Sequence, residues 1–222
     1  MKNSIFNVLI NPDTFYQNVI TENENLKIPC MIVLCGAVIG ALSAYMLGGI
    51  TGKLVGALVP GMEIFVALSA VIGAFIATFL FWIIMTIIFY GMSCLFKGQG
   101  SFKRCLAVTG YGYLPQVFGS LITVVVAYLY IPKIVVPAIS SAALQDPQMI
   151  QSAITTLMHD PAMMEMTQVT AVISIVFLLW SANGWIFGMK HARMLSMRDA
   201  AICVGAPVLV YVLYMAYSIT GV

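Results

Sequence analysis

Apolar residues run in long unbroken stretches along this chain, and polar residues gather in short clusters between them. Five stretches reach the roughly 20 apolar residues that a helix needs to cross a hydrocarbon core. They are Ile28–Ile50, Ile64–Phe96, Cys105–Ile131, Thr167–Met189 and Ala200–Thr220. The second is long for one crossing, so it is expected to tilt, bend or project from the bilayer. The runs are continuous rather than alternating, which speaks against the strands of a membrane barrel. The predicted fold class is all-α, a polytopic transmembrane helical bundle of five spans.

Composition agrees. Of the 222 residues, 61% are hydrophobic and 8% charged, against roughly 25% charged in soluble domains. Lipid must therefore face most of the surface, and the bilayer is the first partner implied. A net charge of +2, scattered along the chain, gives no sign of a nucleic-acid partner. Lys2, Lys27, Lys97, Lys103, Arg104, Lys190, Arg193 and Arg198 fall on one side of the five spans, and only Lys53 and Lys133 on the other. Eight against two puts the N-terminus in the cytoplasm and the C-terminus outside, as a multi-pass protein of the cell membrane. All five cysteines (Cys30, Cys35, Cys94, Cys105, Cys203) then fall in cytoplasmic halves, where thiols stay reduced. With an odd count, no CxxC pair and no interleaved histidine, they read as small buried hydrophobes.

Residues 1–27 lack the apolar core of a signal peptide and are read as a cytoplasmic segment, with 28–222 as the five-span domain. Asn11-Pro12-Asp13 is a helix start, a cap followed by proline and an acid in the first turn. Phe15, Tyr16, Val19 and Ile20 then give this helix an apolar face suited to the membrane interface. Residues 132–166 form an outer insert with two more such starts, Asp146-Pro147 and Asp160-Pro161. Met149, Ile150, Ala153, Ile154, Leu157 and Met158 share one face of the helix between them. Met158, His159, Met163, Met164 and Met166 have the chemistry of a copper(I) site, but methionine also fills gaps on apolar faces. The second reading is favoured, and no metal is assigned.

Inside the spans no Asp, Glu, Lys, Arg or His sits centrally, and such groups mark proton relays and ion-coupled transport. Nor does any histidine–carboxylate or paired-carboxylate set fall at membrane depth. Enzymatic activity is not expected; no catalytic residue and no cofactor are assigned. Small residues recur every fourth position, at Gly36, Gly40, Ala44 and Gly48 in the first span and Ser69, Gly73 and Ala77 in the second. Such spacing lets helix backbones approach closely in lipid. Packing within one bundle is favoured, with a subunit interface as the functional alternative. In the third span Gly110, Tyr111, Gly112 and Pro115 predict a kink, because proline removes a donor and clashes with the preceding turn. Carbonyls freed there need partners, with Thr109, Tyr111, Tyr113 and Gln116 at hand. Asn183 in the fourth span is expected to hydrogen-bond to another helix, and Pro207 to kink the fifth.

Three of these motifs carry a resemblance when taken in order. Asn11-Pro12-Asp13-Thr14-Phe15-Tyr16 lies near the start, and Gly100-Ser101-Phe102-Lys103 precedes the third span. Gly110-Tyr111 then follows, with Pro115 four residues after the tyrosine. The chain is similar in this to the Yip family, the Ypt/Rab-interacting membrane proteins, in a compact prokaryotic form. The resemblance implies five membrane helices and a cytoplasmic N-terminus. Eukaryotic relatives are associated with small GTPases, vesicle traffic and membrane shaping, often as oligomers. This chain lacks their longer acidic-aromatic Tyr-Gly-Pro segment, so a GTPase partnership is not carried over. The expected function is a non-enzymatic membrane scaffold that self-associates, as a homo-oligomer, or organises other membrane proteins. The alternative is a passive channel or carrier for ions or small solutes, using the kinked third helix.

Overall fold

The structure, a computed structural model, describes residues 5–22, 25–139 and 146–220. Lys2 and residues 140–145 of the insert lie outside the described residues. All regular structure among the described residues is helical: α1 (Asn7–Ile10), α2 (Pro12–Glu22), α3 (Lys27–Leu58), α4 (Glu63–Leu95), α5 (Phe102–Tyr111), α6 (Leu114–Tyr130), a 3-10 turn (Ile131–Lys133), α7 (Pro147–Met158), α8 (Pro161–Arg193) and α9 (Met197–Thr220). Five stretches are long and apolar enough to cross a membrane, namely Lys27–Leu58, Glu63–Leu95, Phe102–Lys133, Pro161–Arg193 and Met197–Tyr217. These are the five expected from the sequence. At 1.5 Å per residue, α3, α4 and α8 are each about 50 Å long, so all three exceed one hydrocarbon thickness.

Local capping explains where several helices begin. The Asn11 side chain accepts from the Thr14 amide at 3.4 Å, and Asp146 accepts from the Gln148 amide at 3.0 Å. Asp160 accepts from the Met163 amide at 3.0 Å and, through its other oxygen, from the Val135 amide at 3.3 Å. Ser196 accepts from the Asp199 amide at 3.1 Å and donates back to the Asp199 carboxylate at 2.7 Å. Each side chain satisfies an amide that the first helical turn leaves open. Because Asp160 starts α8, residues 161–166 belong to the fourth membrane helix rather than to the insert.

The chain forms two compact units. The first comprises Met1–Gly36, Thr78–Gly119 and Ser174–Val222. Its core joins Phe89 of α4, Cys105 of α5, Trp185 and Met189 of α8, and Cys203 and Val204 of α9. A neighbouring cluster holds Phe15 and Tyr16 of α2 with Ile32, Val108, Tyr111 and Ala192. Two residues of the apolar face expected at the N-terminus therefore pack inside this unit. The aromatic pair of α2 is buried against protein, where two large rings gain packing partners as well as escape from water.

The second unit comprises Ala37–Ala77 and Ser120–Ile173. Ala153 and Leu157 of α7 are buried there with Ile50, Leu54, Ala127, Ile134 and Met166. The expected apolar face of α7 is thus split, because Met149, Ile154 and Met158 remain exposed. Pro207 lies inside α9, which runs unbroken from Met197 to Thr220.

Candidate functional site

The third membrane segment breaks where its glycines and proline predict. α5 ends at Tyr111, the chain turns through Gly112 and Tyr113, and α6 begins at Leu114. The Tyr113 amide turns to the Gly110 carbonyl at 3.3 Å. Pro115 has no amide to offer Tyr111. The Thr109 carbonyl is taken by a neighbouring helix instead: the Trp185 indole donates to it at 2.9 Å. Of the partners expected from the sequence, none supplies this donor. Trp185 is fully buried, and the glycines make room for it and for its neighbours. A Cβ on Gly112 would run into the Trp185 ring, and one on Gly110 would come within 2.6 Å of Pro29.

A buried polar chain surrounds the break. The Thr86 and Thr109 hydroxyls lie 2.6 Å apart. Thr86 donates to the Trp82 carbonyl at 2.7 Å, and the Trp82 indole donates to Thr109 Oγ1 and to the Leu106 carbonyl, both at 3.1 Å. Helix α2 closes the other side. The Tyr16 hydroxyl donates to the Val108 carbonyl at 3.3 Å, and burial pushes its pKa well above the ordinary tyrosine value. Phe15 meets Tyr111 edge to face, with ring centres 5.2 Å apart. A Cβ on Gly188 of α8 would collide with Val108 and approach the Tyr16 ring, so this glycine is what admits α2. At the rim, Asp13 accepts from Lys190 at 2.8 Å and lies 2.6 Å from His191 Nε2. Hydrogen bonds from Lys190 and His191 hold the Asp13 carboxyl below its ordinary value of 3.8.

Arg193, counted from sequence only as one more basic residue, is buried at the end of α8. Its guanidinium donates to Ser93 Oγ at 2.8 Å, to the Gly98 carbonyl at 2.7 Å and to the Gly100 carbonyl. It also lies 4.3 Å from the centre of the Tyr90 ring. In return, the Arg193 carbonyl accepts from the Gln99 amide at 2.8 Å. These bonds tie the turn between α4 and α5 to the end of α8. A Lys-His-Ala-Arg sequence closing a long helix was the only local signal, and it does not distinguish a buried arginine from an exposed one.

The remaining predicted residues are divided in their placement. Gly36 is buried, and a Cβ on it would lie 2.7 Å from the Tyr113 ring. Gly40 and Ala44 are half-buried. A Cβ on Gly48 would lie 2.9 Å from the Ala70 Cβ and 3.1 Å from the Ala67 Cα, so this part of the stripe packs α3 against α4. Gly73 has open space around it, and Ala77 is exposed. Asn183, expected to hydrogen-bond to another helix, is exposed on α8. Its direction is set by Ala182 and Trp185, which turn the neighbouring face inward. Ser181 Oγ is buried without a partner among the described residues.

Among the described residues, no group of three His, Cys, Asp or Glu side chains converges as a metal site. In the methionine cluster Met166 is spent in the core, Met163 is half-buried, and Met158 and Met164 are exposed. His159 Nδ1 lies 2.8 Å from the Thr155 carbonyl of its own helix. All five cysteines are free. Cys105 and Cys203 are buried as expected, whereas Cys30, Cys35 and Cys94 are exposed. These three stand on outward faces of their helices, where a thiol is apolar enough to meet lipid.

Residues 6–219 match the Yip1 domain. The match takes in α2 as well as all five membrane helices, in keeping with the burial of Phe15 and Tyr16. An uncharacterized protein of Methanocaldococcus jannaschii is 37% identical over 125 residues, which is 56% of this chain and 89% of its own length. No solved structure is similar to the chain. With an all-helical fold, five spans and a domain match along nearly the whole length, the chain belongs to the Yip1-domain family of multi-pass membrane proteins.

Proposed function

We propose that this protein is a non-enzymatic membrane scaffold, associating with copies of itself and with other membrane proteins by helix packing. The observation that carries the reading is the filling of the third-helix break. A carrier would use such an unwound segment to hold its solute. Here the freed Thr109 carbonyl is occupied by Trp185, and Tyr16 and Phe15 pack beside it. The segment is built as a rigid joint. Two outward features supply contact surface. Asn183 is an exposed amide on a membrane helix, and lipid offers it no hydrogen bond, so a helix from outside the chain is its natural partner. Gly73 and Ala77 separately give α4 a shallow outward face for close backbone approach. The excess of basic residues on one side supports a cytoplasmic N-terminus, and the cell membrane is the location that goes with this reading.

Purified protein in liposomes tests the reading. Ion and small-solute flux should equal that of empty liposomes, while cross-linking should give discrete oligomers that weaken in Asn183→Leu. Flux above the empty control that is lost in Pro115→Ala would establish the channel or carrier reading instead.

A further inference from the structure

Helices α4 and α8 end in the same manner. The Gly98 amide reaches back to the Ser93 carbonyl at 2.9 Å, and the Leu195 amide to the Lys190 carbonyl at 3.0 Å. This closure puts one residue of each turn in the left-handed region, which glycine adopts without a steric penalty. Neither position is glycine. They are Lys97 (φ 56°) and Met194 (φ 54°). Both side chains are exposed, Met194 to 71%. A lysine and a methionine held against backbone preference at two adjacent tips suggest that the side chains themselves are used.

The two turns form one surface. Arg193 binds the carbonyls of Gly98 and Gly100, and a Cβ on Gly98 would lie 3.2 Å from Leu195. Apolar side chains stand outward here, from Leu95, Phe102, Met194 and Met197. Lys97, Lys103 and Arg198 are exposed beside them. Asp199 is the acid set at this end, hydrogen-bonded to Ser196, and the exposed cations outnumber it, while Asp13 is paired with Lys190 and His191. Arg193 is bound by Ser93 and by the carbonyls of Gly98 and Gly100, all neutral groups, so its charge adds to the field. Apolar tips interleaved with an excess of cations match one environment: acyl chains below and phosphate headgroups above. We propose that this end of the first unit is a docking surface for anionic phospholipid, with Lys97, Lys103 and Arg198 holding headgroup phosphates and Met194 and Leu95 entering the leaflet.

The test uses the full chain in mild detergent, titrated with phosphatidylglycerol, phosphatidylcholine or inorganic phosphate while thermal unfolding is followed. Phosphatidylglycerol should raise the Tm, and the other two should leave it unchanged. Its half-saturating concentration should rise about fivefold for each cation removed in Lys97→Gly, Lys103→Gln and Arg198→Gln. Lys97→Gly separates binding from folding, since glycine suits the left-handed turn: its Tm without lipid should not fall, while its affinity for phosphatidylglycerol should. Equal shifts with phosphatidylcholine would overturn the proposal. So would a matching shift with phosphate, or unchanged affinity in Lys97→Gly.

Discussion

Thr109 shares its polar atoms among three helices. Its hydroxyl meets Thr86 and Trp82 of α4, while its carbonyl accepts from Trp185 of α8. Trp185→Phe keeps most of the ring volume but leaves that carbonyl buried without a donor, which costs about 1–3 kcal/mol. A matching fall in unfolding free energy, measured in detergent, is the expected outcome. Asp13 is linked to pH. Its folded pKa lies below the unfolded value because Lys190 and His191 favour the carboxylate. The stabilisation is therefore complete above the unfolded value of 3.8 and disappears as pH falls through the lower folded value. Asp13→Asn should lower the Tm near neutrality, and the gap to wild type should close as pH falls through the lowered folded value. A gap that persists in acid would mean that the carboxylate charge is not what holds α2.

Among the elements, α2 is the one whose attachment can be read most directly. Phe15→Ala with Tyr16→Ala removes both buried rings and the bond to Val108, leaving the five membrane helices their remaining contacts. Protease should then cut in residues 12–22 at concentrations that spare the wild type. Start and break positions of the helices were legible in the sequence because their causes are local. An Asn-Pro or Asp-Pro pair caps a helix wherever it stands, and Pro115 removes a hydrogen bond whatever lies nearby. What fills the break was not legible, since Trp185 and Tyr16 are 76 and 92 residues from the carbonyls they serve. Arg193 was hidden for the same reason. Its partners at Ser93, Gly98 and Gly100 become neighbours only when α8 returns beside the turn between α4 and α5.

For the molecule as a whole, the small-residue repeats have opposite uses that spacing alone does not separate. Gly48 packs inside its unit against Ala67 and Ala70, whereas Gly73 faces open space. Leucine at the two positions should therefore give different defects. Gly48→Leu should lower the Tm by several degrees, consistent with overpacking of about 1–3 kcal/mol. Gly73→Leu should leave the Tm near wild type and change only the oligomer distribution seen by cross-linking. An unaltered distribution would remove the α4 face from the scaffold reading.

The docking of α2 also sets an order of events during synthesis. This helix leaves the ribosome before the five spans described here, yet Asp13 binds Lys190, which comes 177 residues later. At about 5–20 residues per second, roughly 10–35 s separate the two. Until Gly188 and Lys190 arrive, the Phe15–Tyr16 pair has only part of its seat. Once α8 is in place, the pair disappears from reach. Phe15 and Tyr16 are thus uncovered on an unfinished chain and buried on a completed one.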